Sequence, residues 1–98
     1  MEQVQVLLRF FTAALHDPRI GTSHIALYVA FYQRWVKEGS GAPVLAYSHE
    51  MMPVAKICSS ATYHRVLREL DAYGYLQYEP SFSRLRRSRV CLDGAGRS

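Results

Sequence analysis

The chain has 98 residues, of which 49% are hydrophobic, enough for one domain with a packed core but few for an enzyme with a deep cleft. Its formal net charge of +4 favours an anionic partner. Two cysteines are too few for a disulfide framework, and no apolar run approaches the ~20 residues of a membrane span. Because the N-terminus also lacks the pattern of a signal peptide, these features predict a soluble, cytoplasmic protein that is not an enzyme and does not use a membrane.

Two helices are predicted at the start of the chain. Residues 3–16 carry two apolar stripes at helical spacing, which predicts a wide buried arc. The stripes are Val4, Leu7, Leu8, Phe11 and Leu15, and Val6, Phe10 and Ala13. Residues 24–38 form the second predicted helix, with Thr22 or Ser23 as its N-terminal cap. It is apolar on two sides, as in a helix that is central or that also meets a second subunit.

The middle of the chain predicts a short strand at residues 42–46 and a third helix. Ser48 resembles an N-cap for a helix over residues 48–57, but Pro53 lacks the N–H that an interior position needs. Either the helix is kinked or it begins near Met52 with the proline in its first turn. We favour the late start.

A fourth helix and a hairpin complete the predicted fold. Ser59 is expected to cap a helix over residues 60–73, and Gly74 is expected to end it in a left-handed conformation. Strands at 75–80 and 87–92 follow, and residues 93–98 are expected to be a flexible tail. This order predicts an α+β, mostly α, winged helix-turn-helix fold with an extra N-terminal helix and a C-terminal β-hairpin wing, in a single domain over residues 1–92.

Polar and basic side chains on the fourth helix and on the wing, residues 81–89, suggest an interface with duplex DNA. Residues 1–47 carry four basic and three acidic side chains, whereas residues 48–98 carry eight and five. Arg65 is the best candidate for a bidentate contact to guanine, and the helix start with its two serines suits a phosphate. The predicted DNA-binding residues are Ser59, Ser60, Ala61, Thr62, His64, Arg65, Arg68, Arg84, Arg86, Arg87 and Arg89.

Less specific interpretations compete with this one. A polar helix face is often merely solvated, and so is a run of arginines. His49, His64, Cys58 and Cys91 match no zinc-binding spacing, so no metal or other cofactor is predicted. His16 and His24 flank a predicted loop and receive no role.

The aromatic residues of the first two helices have two interpretations. They are Phe10, Phe11, Tyr28, Phe31, Tyr32 and Trp35. Core packing is the default. The alternative is an interface, because so small a domain has little interior for two doubly apolar helices. On that basis we expect a homodimer formed through the N-terminal helices.

The segment from Ala55 to Leu76 resembles the turn and recognition helix of bacterial winged helix-turn-helix proteins. Small members encoded near conjugative transposons share a Ser-x-Ala-Thr-Tyr-His core and a Gly-Tyr-Ile-x-Tyr-x-Pro-Ser strand. This chain has Ser-Ser-Ala-Thr-Tyr-His at residues 59–64 and Gly-Tyr-Leu-Gln-Tyr-Glu-Pro-Ser at 74–81. The resemblance covers residues 5–92, although Pro53 and the strongly basic wing depart from the family pattern.

The resemblance implies DNA binding and regulation. Together with the residues above, it leads us to expect a small transcriptional regulator that binds double-stranded DNA sequence-specifically through the helix at 60–73 and the wing. Two alternatives stay open. One is an accessory or replication-initiator-type DNA-binding role in a mobile element, and the other is a winged-helix module for protein–protein interaction.

Overall fold

The computed structural model describes residues 2–39, 41–81 and 87–92. The predicted tail at 93–98 and the wing residues Arg84 and Arg86 lie outside the described residues. Within them, the chain forms four helices and a three-stranded antiparallel sheet. The elements are α1 (Glu2–Leu15), α2 (Thr22–Lys37), β1 (Val44–Ala46), α3 (Ser48–Ala55), α4 (Ser60–Ala72), β2 (Gln77–Glu79) and β3 (Ser88–Cys91).

This order confirms the predicted fold class, α+β and mostly α with a winged-helix-like topology. The sheet order is β1-β3-β2, so the last strand lies between the other two. Val90 at the centre of β3 is opposite Val44 on one side and Tyr78 on the other. Val90 and Leu92 are buried, as the alternation of the strand predicts, and they join the sheet to the helical core.

The second helix is the centre of the fold. Leu27, Phe31 and Trp35 on α2 are all buried, and α2 packs against every other helix and against β1. Its start differs from the prediction, because Thr22 and Ser23 lie inside the helix and neither caps it. Instead Gly21 is the N-cap residue, and its N–H donates to Nδ1 of His24 at 3.0 Å. The ring of His24 therefore satisfies the backbone group that a hydroxyl was expected to satisfy.

The prediction of a wide buried arc on α1 is wrong for the single chain. Val6 and Phe10 are buried, and Phe10 stacks on Tyr28 with ring centroids 3.8 Å apart. Most of the other stripe is exposed, since nothing in the described part of the chain forms a second layer over that side of the helix. We call this surface the outer seam; it consists of Val4 (44% exposed), Leu8 (52%), Phe11 (40%) and Leu15 (79%).

The late start predicted for the third helix is also wrong. α3 begins at Ser48 and includes Pro53 as its sixth residue. A pair of hydrogen bonds fixes the first turn: Tyr47 N–H donates to Oε1 of Glu50 at 2.8 Å, and Glu50 N–H donates to the Tyr47 carbonyl at 3.0 Å. The backbone bond that Pro53 removes would end on the carbonyl of His49, an exposed residue within reach of water, so the helix tolerates the proline.

The fourth helix forms as predicted. The hydroxyl of Ser59 accepts a hydrogen bond from Thr62 N–H at 3.2 Å, which satisfies one free donor of the first turn. Four apolar residues of its stripe are buried: Tyr63, Val66, Leu67 and Leu70. At the other end, Gly74 has φ +89, and Tyr75 N–H donates back to the Leu70 carbonyl at 2.9 Å. This is the glycine-dependent helix ending that the sequence indicates.

Replacing Gly74 by alanine is expected to destabilise the fold through the backbone alone. A Cβ at Gly74 meets nothing within 4 Å, so the left-handed conformation is the only source of strain. For a residue with a side chain, that conformation costs about 1–2 kcal/mol. Gly41→Ala is the matched control, since Gly41 has no positive φ and its Cβ makes only an ordinary contact at 4.0 Å. Urea denaturation should show a loss for Gly74→Ala and none for Gly41→Ala; equal midpoints would contradict the assigned helix ending.

Candidate nucleic-acid interface

The side of α4 opposite its buried stripe is polar and basic. Most of the predicted contact residues of the helix are exposed to solvent: Ser59, Ser60, Ala61, Arg65 and Arg68. Thr62 and His64 are half-buried. The two arginines are three residues apart, so they project from the same side of the helix. All seven predicted residues of this helix and its cap are thus brought together on one accessible surface.

His64 is held by the first turn of α4. Its Nδ1 lies 2.9 Å from the Ser60 carbonyl and 3.3 Å from the Ser60 hydroxyl. Since a carbonyl only accepts, the ring proton belongs on Nδ1, and Nε2 of the neutral ring carries a lone pair. In this state His64 can accept a hydrogen bond from an exocyclic amino group such as that of adenine or cytosine.

Arg65 belongs to a chain of contacts that leads into the core. Its Nη1 donates to Oε1 of Glu69 at 3.0 Å, and the same oxygen lies 2.8 Å from Nε2 of His24. The hydrogen bond with His24 is the main reason that the pKa of Glu69 lies below its ordinary value, and the charge of Arg65 adds to the effect. His24 received no role in the sequence analysis. The signal that could have revealed it is its place in the first turn of α2, three residues after Gly21.

Arg68 differs from Arg65 in its surroundings. It is exposed and makes no ion pair within the described part of the chain. Its charge is therefore available to an external anion without the loss of an internal partner.

The described arginines of the wing contact acidic residues of the same chain. Arg87 donates to both carboxylate oxygens of Glu50, at 3.2 and 3.3 Å, and lies 5.0 Å from the centre of the Tyr47 ring. The hydrogen bonds from Arg87 and from the Tyr47 backbone lower the pKa of Glu50 to about 2. Arg89 lies 3.8 Å from Glu79, its cross-strand neighbour. Both arginines stay about half exposed, so Arg87 is paired with α3 and the charges of these two arginines are only partly neutralised.

The base of the wing lies near the beginning of α4. Burial raises the pKa of Tyr63, and the Tyr78 phenol close to it raises it further. Tyr63 is in the first turns of α4 and Tyr78 is in the middle of β2. Because β2 follows directly after the end of α4, it must run back along the helix towards its N-terminus.

A second cluster fixes the junction between α4 and β2, and the sequence analysis did not anticipate it. The Tyr75 hydroxyl donates to Asp17 at 2.6 Å, and Arg19 donates to both oxygens of the same carboxylate. These hydrogen bonds hold the pKa of Asp17 well below its usual range, while burial and the bond to Asp17 raise the pKa of Tyr75 to about 12. Arg19 also lies 4.0 Å from the centre of the Tyr73 ring. The cluster sets the position of α4 relative to the loop between α1 and α2.

The described residues contain no group of three or more histidine, cysteine or acidic side chains able to hold a metal ion. Both Cys58 and Cys91 are free thiols. Over the same described residues, none of the helices has the length and apolar character needed to cross a membrane.

Comparisons with protein-family models, with curated proteins and with solved structures found no match to this chain.

Proposed function

We propose that this chain binds double-stranded DNA in a sequence-specific manner and acts as a small regulator of transcription. The observation that carries the proposal is the exposed polar and basic surface of α4 in a winged-helix-like fold, beside the base of an arginine-rich hairpin. An α-helix fits the major groove of DNA, and a hairpin beside it can reach the flanking backbone. The resemblance of residues 55–81 to bacterial winged helix-turn-helix proteins, and action in the cytoplasm, belong to the same proposal.

Each residue of the surface has a chemical role in this proposal. Arg65 donates two hydrogen bonds to a guanine edge, and Ala61 or the Thr62 methyl contacts a thymine methyl. Ser59 and Ser60 hold a phosphate at the helix start. Arg68 and the wing arginines neutralise the backbone, with Arg87 contributing less than its full charge because Glu50 accompanies it.

We further propose that the protein is a homodimer in which the outer seams of two copies pack together. The residues of the outer seam are spaced by four, three and four positions, the pattern by which paired helices interlock. The positions that flank it on the polar side are Gln5 and Thr12, which are uncharged, so that two copies meet without like-charge repulsion. A two-fold symmetric dimer would place two recognition helices on a palindromic site.

Arginine substitutions test the DNA-binding proposal once a preferred site has been selected from a random duplex pool. We compare the selected site with a guanine-substituted duplex, in which another base replaces the guanine that Arg65 contacts. Arg65→Ala should lower the preference for the selected site over this duplex, because a bidentate contact is worth about 1–3 kcal/mol. Arg68→Ala should weaken binding to both duplexes equally and reduce the slope of log affinity against log salt by about 0.9. Fluorescence anisotropy at several salt concentrations measures both effects.

Arg9→Ala is the charge-matched control, since Arg9 is exposed on α1, away from α4. Identical binding by all three variants would refute the assignment of the α4 surface. Recovery of no enriched sequence from the pool would favour the interaction-module alternative. An enriched site at the ends of a mobile element would instead favour the accessory or replication role.

A further inference from the structure

The contact between α2 and α4 connects a buried histidine to the side chain that we assign to base reading. His24 is buried, with 7% of its surface exposed, although its imidazole carries two polar nitrogens. Its partner Glu69 is on α4, one helical turn after Arg65, and a single carboxylate oxygen meets both His24 and Arg65. The interior of the protein is thereby connected through two hydrogen bonds to the side chain that we assign to base reading.

The geometry defines which group donates in each bond. Nδ1 of His24 accepts from Gly21 N–H, so it carries no proton and the ring proton is on Nε2. Nε2 must then donate to Glu69, which leaves the carboxylate as acceptor for both the imidazole and the guanidinium. A neutral imidazole orients the carboxylate without cancelling its charge, and the charge remains available to Arg65.

We propose that His24 and Glu69 are positioning residues that hold Arg65 in place for reading a guanine, an inference that rests on the proposed DNA-binding function. Only Nη1 of Arg65 contacts Glu69 in the described structure, so the guanidinium retains further N–H groups for a base edge. A side chain fixed before binding loses less conformational entropy on contact. The carboxylate also repels phosphates, which disfavours use of Arg65 as a non-specific backbone contact.

Glu69→Ala tests the positioning of Arg65 and the repulsion of phosphates separately. Discrimination between the selected duplex and its guanine-substituted version should fall by about 5-fold or more, the lower limit for one bidentate arginine–guanine pair. Affinity for random duplex should rise about twofold, as expected for removal of one negative charge ~10 Å from a phosphate in water. Alanine is the best helix former, so α4 keeps its structure.

A double-mutant cycle assigns the effect to Arg65. Glu69→Ala should change discrimination in the Arg68→Ala background as it does in the wild type. It should leave discrimination unchanged in the Arg65→Ala background, where the side chain that it positions is missing. An equal effect in both backgrounds would overturn the inference, because Glu69 would then act independently of Arg65.

Two substitutions of His24 separate positioning from stability. The amide oxygen of His24→Asn can replace Nδ1 as acceptor for Gly21 N–H but cannot reach Glu69. The amide group of His24→Gln can replace Nε2 as donor to Glu69 but loses the bond to Gly21. We expect His24→Asn to lose discrimination as Glu69→Ala does, and His24→Gln to retain most of it. If discrimination instead follows the melting temperatures of the two variants, His24 has a structural role only.

The outcomes for the wild type separate this inference from the function on which it rests. If the wild-type chain does not discriminate between the two duplexes, the proposed function fails and the inference fails with it. If the wild type discriminates and Glu69→Ala discriminates equally well, the function stands and the inference alone is refuted.

Discussion

Leu8→Glu is expected to break the proposed dimer and to weaken the proposed binding to a palindromic site by about 100-fold or more. The charge would lie in the middle of the outer seam, between Val4 and Phe11, where a partner helix must bury it. Loss of the dimer removes the high effective concentration of the second half-site, and avidity gains of this kind are of the order of 10²–10⁴. In the single chain Leu8 is 52% exposed, so folding of the monomer should be unaffected.

Sedimentation equilibrium across a range of concentrations measures the dimer, and titration with full and half sites measures the loss of avidity. Ala13→Glu adds the same charge at an exposed position of the same helix on the side away from the outer seam, and it should leave both measurements unchanged. Affinity for a single half-site should be the same for the wild type and Leu8→Glu. A wild-type chain that is monomeric at all concentrations, or a dimer that survives Leu8→Glu, would rule out the outer seam as the interface.

The parts of the fold that the sequence predicts well are those with local causes. The bounds of α4 follow from the Ser59 hydroxyl, the apolar stripe and Gly74, all of which act within one or two turns. The start of α3 also has a local cause, but one that the sequence pattern does not reveal. The local penalty of Pro53 suggested a late start, but Glu50 reaches back to Tyr47 and fixes an earlier first turn. His24 does the same for α2, and neither residue belongs to the short hydroxyl and amide side chains that usually mark an N-cap.

The parts that the sequence does not predict are contacts between residues far apart in the chain. Glu69 pairs with Arg65 of its own helix, but its bond to His24 spans 45 positions. Arg87 and Glu50 are separated by 37 positions, and Tyr75 and Asp17 by 58. No periodicity records such pairs, since they depend on how the elements pack. For the same reason, counting arginines overstates the positive charge that the wing offers to DNA.

The exposure of α1 illustrates a third limit. Apolar spacing identifies both stripes of the helix, but the structure buries only Val6 and Phe10 of one stripe and leaves Ala13 of that stripe exposed. Which stripe is covered depends on the layers available in the fold, and the residues that the structure describes form a single layer beside α1. When a sequence has more apolar helix positions than one small domain can bury, the positions left exposed indicate an interface. On α1 these positions form the outer seam, the surface that we assign to a second copy.

Leu67→Ala is expected to cause the largest loss of stability among these predictions. Leu67 is fully buried beneath the α4 surface, and truncating such a side chain typically costs about 2–5 kcal/mol through lost apolar burial and the cavity left behind. Against a typical total of about 5–15 kcal/mol for a domain, this is a large fraction. With about 4–8 °C per kcal/mol for a domain of this size, the melting temperature should fall by more than about 8 °C.

Leu45→Ala provides the control, since it removes the same atoms from a side chain on β1 that is 51% exposed. Surface substitutions of this kind usually change stability by less than about 0.5 kcal/mol. Because both variants remove the same atoms, the difference between their stabilities measures the contribution of packing under α4. At temperatures where both are folded, Leu67→Ala should retain the base preference of the wild type, because Arg65, Glu69 and His24 are unchanged. Equal losses in the two variants would show that α4 does not pack on the core through Leu67, and the surface that we assign to DNA would lose its support.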